Sequence, residues 1–200
     1  MNNKKTIAVA IVLALILLIG GMLAYFTDTD TKTNVFVLGD NVEISLSEDN
    51  WDEDEANGIH PGAEVDKDPV ITNDSSTTPA YVFAEVIVPC YDSDDDTVVD
   101  APLFTLNTIG SGWTLMSTSS VDTTNKTITY VYNYGTSSGM TSLAAGADTT
   151  AVFSSVTLEP TLTAAQKATA PSNVNIVVNA YGIQTDELGV TSPSQIYALF

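Results

Sequence analysis

Apolar and polar side chains alternate along most of this chain. Val42, Ile44 and Leu46 are interleaved with Glu43, Ser45 and Ser47. Val82, Ala84, Val86 and Val88 share one face of a second run, and Tyr81, Phe83, Glu85 and Ile87 share the other. Ile128, Tyr130, Tyr132 and Tyr134 alternate with Thr127, Thr129, Val131 and Asn133. Val174, Ile176, Val178 and Ala180 alternate with Asn175, Val177, Asn179 and Tyr181. Period two puts one face of a strand on a core and the other outward, as in antiparallel sheets with one wet face. Further strands are predicted at residues 68–72, 103–108, 113–116 and 151–158. Turn signals separate the runs: Asn57-Gly58, Pro61-Gly62, Ser111-Gly112, the segment 135–139 and Gly146-Ala147-Asp148. About eight strands divided in this way predict an all-β fold, a jelly-roll-like antiparallel β-sandwich. Helix is expected only at residues 163–170 and, briefly, at 194–200, and the acidic stretch 48–55 reads as a loop.

The alternation is absent from the N-terminus. Lys4 and Lys5 precede an unbroken apolar run over residues 7–19, then Gly20-Gly21-Met22-Leu23-Ala24, after which the chain turns polar. A basic start, an apolar middle and a small-residue exit are the parts of a secretory signal. Cleavage is expected near Ala24 and Tyr25, with Met22 and Ala24 in the two small positions. The uncharged stretch 7–23 is 17 residues long, the lower limit for a membrane span, so the alternative is an uncleaved anchor helix. The expected organisation is a signal over residues 1–24, a flexible leader or donor segment over 25–34, and one sandwich domain over 35–200. The protein is expected to be secreted or held at the cell surface, touching the membrane only through the signal.

Composition narrows the function. The chain has 6 Lys, no Arg and 25 acidic residues. Removing the signal leaves 4 Lys and a formal charge of −21. Nucleic acid is excluded as a partner, because binding it needs a basic footprint. Acidity of this order favours solubility and cation binding. The single Cys90 forms no internal disulfide; it reads as a buried structural thiol beside Pro89. The sequons Asn73-Asp74-Ser75 and Asn125-Lys126-Thr127 are read as chance matches.

Several segments carry a family resemblance. Residues 20–30, GGMLAYFTDTD, look like the exit of SipW-type signal peptides of Gram-positive bacteria. Residues 34–44 resemble the first strand of the TasA/camelysin family, and Pro61-Gly62 through Val65 and Lys67 to Asn73 resembles its PG-x-x-V-x-K-x-x-x-x-x-N segment. Ala80-Tyr81-Val82-Phe83 and Ala180-Tyr181-Gly182-Ile183-Gln184 are similar to segments of its clostridial members. Residues 91–173 hold no motif of the family. The resemblance implies a subunit of an extracellular matrix, biofilm or fibre that assembles by β-strand donation. Its partners would be copies of itself or related matrix subunits, with a SipW-type signal peptidase acting during export. Tyr25, Phe26, Val35, Phe36 and Val37 would be the assembly residues: strand formers and aromatics around a polar leader with no core of its own.

The camelysin name also brings a metallopeptidase reading, which the residues oppose. A zincin site needs two His one helical turn apart with a Glu between them, and this chain has one His, His60. No catalytic residue and no cofactor are expected, calcium apart. Asp92, Asp94 and Asp96 take relative positions 1, 3 and 5 of an EF-hand loop, but Thr97 replaces its Gly and Leu103 its closing Glu. Asp52, Glu53, Asp54 and Glu55 form a second acidic group beside Trp51. Weak calcium binding at either group is weighed against a solvated acidic loop. The remaining alternatives are a monomeric surface adhesin or binding module and, third, a camelysin-like metallopeptidase.

Overall fold

Strand β4 (Ala80–Tyr91) is the longest element and organises the others. Its inward residues Val82, Ala84, Val86 and Val88 are fully buried, as the alternation predicts. The structure, a computed structural model, describes residues 42–94, 96–172 and 174–200. The signal or anchor helix, the cleavage site at Ala24 and Tyr25, and the assembly residues Tyr25, Phe26, Val35, Phe36 and Val37 lie outside the described residues.

In chain order the strands are β1 (Ile44–Ser47), β2 (Glu64–Asp66), β3 (Val70–Asn73), β4, β5 (Ala101–Pro102), β6 (Phe104–Asn107), β7 (Trp113–Thr118), β8 (Thr127–Tyr134), β9 (Ser155–Leu158) and β10 (Val177–Gln184). Three short helices join them: α1 (Glu53–Ala56), α2 (Ala164–Thr169) and α3 (Pro193–Tyr197). All strand pairs are antiparallel, so the all-β expectation stands.

One sheet runs β10-β4-β8-β7, with β5 on the end of β4. Opposite it lie the pair β1-β3 and the trio β2-β9-β6. Backbone bonds stitch pair and trio together: Thr149 N–H donates to Ile71 O at 2.9 Å, Val152 N–H to Pro69 O at 2.8 Å and Lys67 N–H to Ser154 O at 3.3 Å. One core, with Phe153 and Val152 at 0 % exposure, fills the space between the layers. A smaller core of Phe83, Ile183 and Ile196 sits on the outer face of β4 and β10, under α3.

The structure corrects several details of the sequence reading. Ten strands are present among the described residues rather than about eight. β2 and β5 are only three and two residues long, too short to show alternation. The stretch predicted as 68–72 begins at Val70, after Pro69, which has no N–H to give a ladder. The last strand begins at Val177, and Val174 is exposed instead of packed. The acidic 48–55 loop contains a helical turn, because the Asp52 carboxylate accepts the Asp54 N–H at 2.8 Å and caps α1. The alternation of β8 is borne out: Tyr132 is buried in the core, and Tyr130 and Tyr134 pack against it, Tyr134 edge-on to Trp113 at 5.3 Å.

Polar anchoring is concentrated at Asn73. It is fully buried, and its amide donates to Thr78 O and Leu143 O, both at 3.0 Å. This pins the β3–β4 connection to the segment entering β9.

Phe153 is the largest fully buried side chain between the layers apart from Phe83, which lies in the outer core. Phe153→Ala is expected to cost about 3–5 kcal/mol of stability. Urea denaturation measures it; a loss below about 1 kcal/mol would mean that the layers do not close on this ring.

Candidate functional site

The two sides of the sandwich are finished differently. On one, the segment between β6 and β7 crosses from layer to layer. Gly110 N–H donates to Val152 O at 3.0 Å, and Trp113 Nε1–H to Thr150 O at 2.8 Å. On the other side lie β1 and β10. Among the described residues β1 pairs only with β3, and β10 only with β4. β1 lies over β10: a Cβ added to Gly182 would sit 2.8 Å from Ile44 Cγ2. Glycine is therefore required at 182 by this close approach. Among the described residues, two sheet edges without a further strand thus end on the same side of the molecule.

A groove of about 1620 Å³ opens there. Leu46 and Trp51 form one lip and Val174 and Ile176 the other. Its floor is the inner face of the trio, with Val65, Leu103, Phe104, Val156 and Leu158. Leu162 and Ala168, around α2, make a side wall. Trp51 and Val174, at 41 % and 44 % exposure, are large apolar groups left in water at the mouth.

Two of the chain's six lysines also line the groove. Lys67 is buried, ion-paired with Glu48 Oε1 at 2.6 Å, and its ammonium lies 4.9 Å from the centre of the Trp51 ring. Desolvated pairs of this kind hold a shape more than they add stability. This one fixes the lip around Trp51. Lys167 is exposed on α2.

The acidic groups separate. Among the described residues, the carboxylates of Asp92, Asp94 and Asp96 come together, with one oxygen of each within 4.8 Å of the others. Asp92 is buried and accepts N–H bonds from Thr97 at 2.8 Å and Asp94 at 3.3 Å. Thr97 has φ 76°, the left-handed conformation that an EF-hand loop reserves for Gly. The neighbouring Asp96 carboxylate raises the pKa of Asp94 above the usual range. The groups at 52–55 are used differently: Asp52 caps α1, and Asp54 and Glu55 point into solvent.

Cys90 is fully buried, and its thiol donates only to Val88 O at 3.8 Å. Burial and the nearby Asp100 push its pKa up to about 11. A nucleophilic thiol would need the opposite shift. His60, the one His of the chain, is exposed beside Pro61.

The periodicity of the strands could not show the groove, because it arises where strands are missing. Only the exposed Trp51 within an acidic run hinted at an apolar surface.

Comparison with known families places the match in the N-terminal half: a family model described as camelysin metallo-endopeptidase matches residues 2–99. Comparison with curated proteins and with solved structures finds no match.

The buried acids of the sandwich set its alkaline limit. Burial pushes Tyr132 up to about 12, and burial with the Glu85 carboxylate does the same to Tyr181. In the unfolded chain Cys90 loses its proton near its ordinary value of 9, but the native thiol keeps it until about 11. The native state therefore holds more protons across that window, and stability falls as pH rises through it. The expected slope from Cys90 alone is about 1.4 kcal/mol per pH unit, with none below pH 9. Urea titrations from pH 8 to 11 should show the decline, and Cys90→Ala should flatten it between pH 9 and 10, leaving the tyrosine contribution above pH 10.

Proposed function

Since the chain belongs to the TasA/camelysin family, we propose that it is a non-catalytic structural subunit of the bacterial surface or extracellular matrix. Its groove takes up an extended strand from another copy. The observation that carries this reading is the pair of edges, β1 and β10, with no further strand among the described residues, flanking a groove with an apolar floor on one side of the sandwich. An open edge supplies main-chain affinity, and the groove supplies pockets for alternate side chains. The strand offered is residues 34–38 behind a polar leader that begins with Tyr25 and Phe26. Burying Val35, Phe36, Val37 and Leu38 would contribute about 1.5–3 kcal/mol each, set against the cost of ordering the segment. Because donor and acceptor are different surfaces, the contact is heterologous and propagates as a filament.

The family description contains the word endopeptidase. One exposed histidine supplies no zincin pair, and that favours the structural reading over the peptidase. A weak calcium site at Asp92, Asp94 and Asp96 is a second proposal, supported by their convergence.

Deleting residues 25–33 is expected to abolish filaments under the electron microscope while leaving the melting temperature of the monomer unchanged. A truncated protein that still polymerises, or a full mature protein that stays monomeric at high concentration, rules out strand donation. Chelator-sensitive cleavage of casein by the same pure sample would restore the peptidase. For calcium, calorimetry should register binding at millimolar concentration, and no heat and no shift in melting would reduce these acids to a solvated surface.

A further inference from the structure

The connection from β9 to β10 forms a wall of the groove, yet it is weakly attached. Leu158 and Val178, at its two ends, are buried. None of the described side chains between them is. Leu162 and Ala170 reach the margin of the core but remain only partly covered. What binds residues 160–172 to the rest of the described molecule by hydrogen bonds is a small polar cluster at one end of α2. Gln166 Nε2 donates to Ser93 O at 2.6 Å, Asp92 N–H donates to Thr169 Oγ1 at 2.9 Å, and Lys126 Nζ donates to Thr169 O at 2.6 Å.

The helix inside this stretch is self-sufficient. Thr163 and Gln166 form a reciprocal capping box. Pro160 precedes it and Pro171 follows it. A locally stable unit with few buried apolar contacts, held by three bonds, belongs to the low-stability end of a fold, where opening is local rather than global.

We propose that residues 160–172, beyond Glu159, whose N–H is tied to Leu103 O at 3.0 Å, are a latch-held lid on the groove, which swings out to admit the incoming strand and closes on it. This rests on the reading that the groove takes a strand. The latch is Gln166 and Thr169 against the Asp92–Ser93 backbone, with Lys126 Nζ on Thr169 O. Once a strand lies in the groove, Leu162 and Ala168 gain the apolar cover that they lack. Closing on the strand is then favoured, and the lid slows its escape.

Gln166 allows the latch to be cut without unravelling the helix. Glu serves as well as Gln at the third position of a capping box, so Gln166→Glu keeps the cap. It replaces the donor to Ser93 O with an acceptor. Lys126→Met keeps the aliphatic stem and removes the donor to Thr169 O. Hydrogen exchange on the mature monomer should show amides of residues 164–170 exchanging well ahead of those of β4. Each variant should speed that exchange about tenfold, the effect of losing one such bond, with β4 protection and circular dichroism unchanged. A peptide of residues 34–41 should bind the variants with a higher on-rate than the wild type. Exchange of 164–170 only at the rate of β4, or rates unmoved by both variants, overturns the lid. A peptide that binds wild type and variants equally fast overturns the lid and leaves the strand reading intact. A peptide that binds none of them overturns the strand reading, and the exchange data then decide whether the stretch opens at all.

Discussion

Strand β4 is fully buried on its inner face and partly covered on its outer one, so its backbone polar groups have to be satisfied by neighbouring strands. Twelve residues long, it pairs with β10 along one edge, with β8 along the other, and with β5 at its end. Its inner face supplies five fully buried side chains to the main core, from Ala80 to Val88, and its outer face supplies Phe83 to the second. The outer core exists only because Phe83 is too large to leave in water: α3 and the rings of Tyr197 and Phe200 gather on it at 5.3 and 5.9 Å. Glu85 on the same face accepts from Tyr197 Oη at 3.0 Å and Asn179 Nδ2 at 3.0 Å, which sets the position of α3 over the sheet. Weakening β4 therefore loosens both layers at once.

Legibility in the sequence follows how much each segment depends on distant ones. β1, β4, β8 and β10 were readable because each alternates over enough residues to define its two faces. Helix α2 was expected at 163–170, and the structure adds the Thr163–Gln166 capping box that starts it. β2 and β5 were not readable, since each is a short stretch fixed by its partner strand. The turn of α1 was missed because its acids look like solvated loop, and only the Asp52 cap makes it a helix. Of the candidate site, the convergence of Asp92, Asp94 and Asp96 was visible in their spacing. The groove was not, because it joins segments as far apart as Leu46 and Val178, and no local pattern encodes an edge left unpaired. Residues 91–173, silent as motif, supply its floor and its side wall.

Electrostatics shape how such a surface can meet another copy. With 25 acids against 6 Lys the molecules repel one another, and salt screens that repulsion over about 8–10 Å. The groove is different in kind: its floor is apolar, and Lys67 and Lys167 balance Glu48 and Asp49 in its lining. An approaching copy is thus least repelled where it has most to bury. The family match spans residues 2–99, which include β1 to β4 and the Lys67–Trp51 lip, while the lid and β10 lie beyond it. The lip of Leu46 and Trp51 thus lies within the matched residues, and the lid and the lip of Val174 and Ile176 lie beyond them.

The buried position of Asn73 has a consequence for producing this protein. Asn73-Asp74-Ser75 is an acceptor sequence for N-linked glycans, and a eukaryotic secretory pathway attaches them as the chain emerges, before it folds. A sugar on Asn73 Nδ2 would have to occupy a site with no solvent exposure and would displace the donors to Thr78 O and Leu143 O. Folding and modification at this residue exclude each other. Asn125, exposed beside Asp122, imposes no such conflict. Material secreted from a glycosylating host would divide into an unmodified folded fraction and a modified fraction barred from the native state, whereas a host without that machinery yields one species.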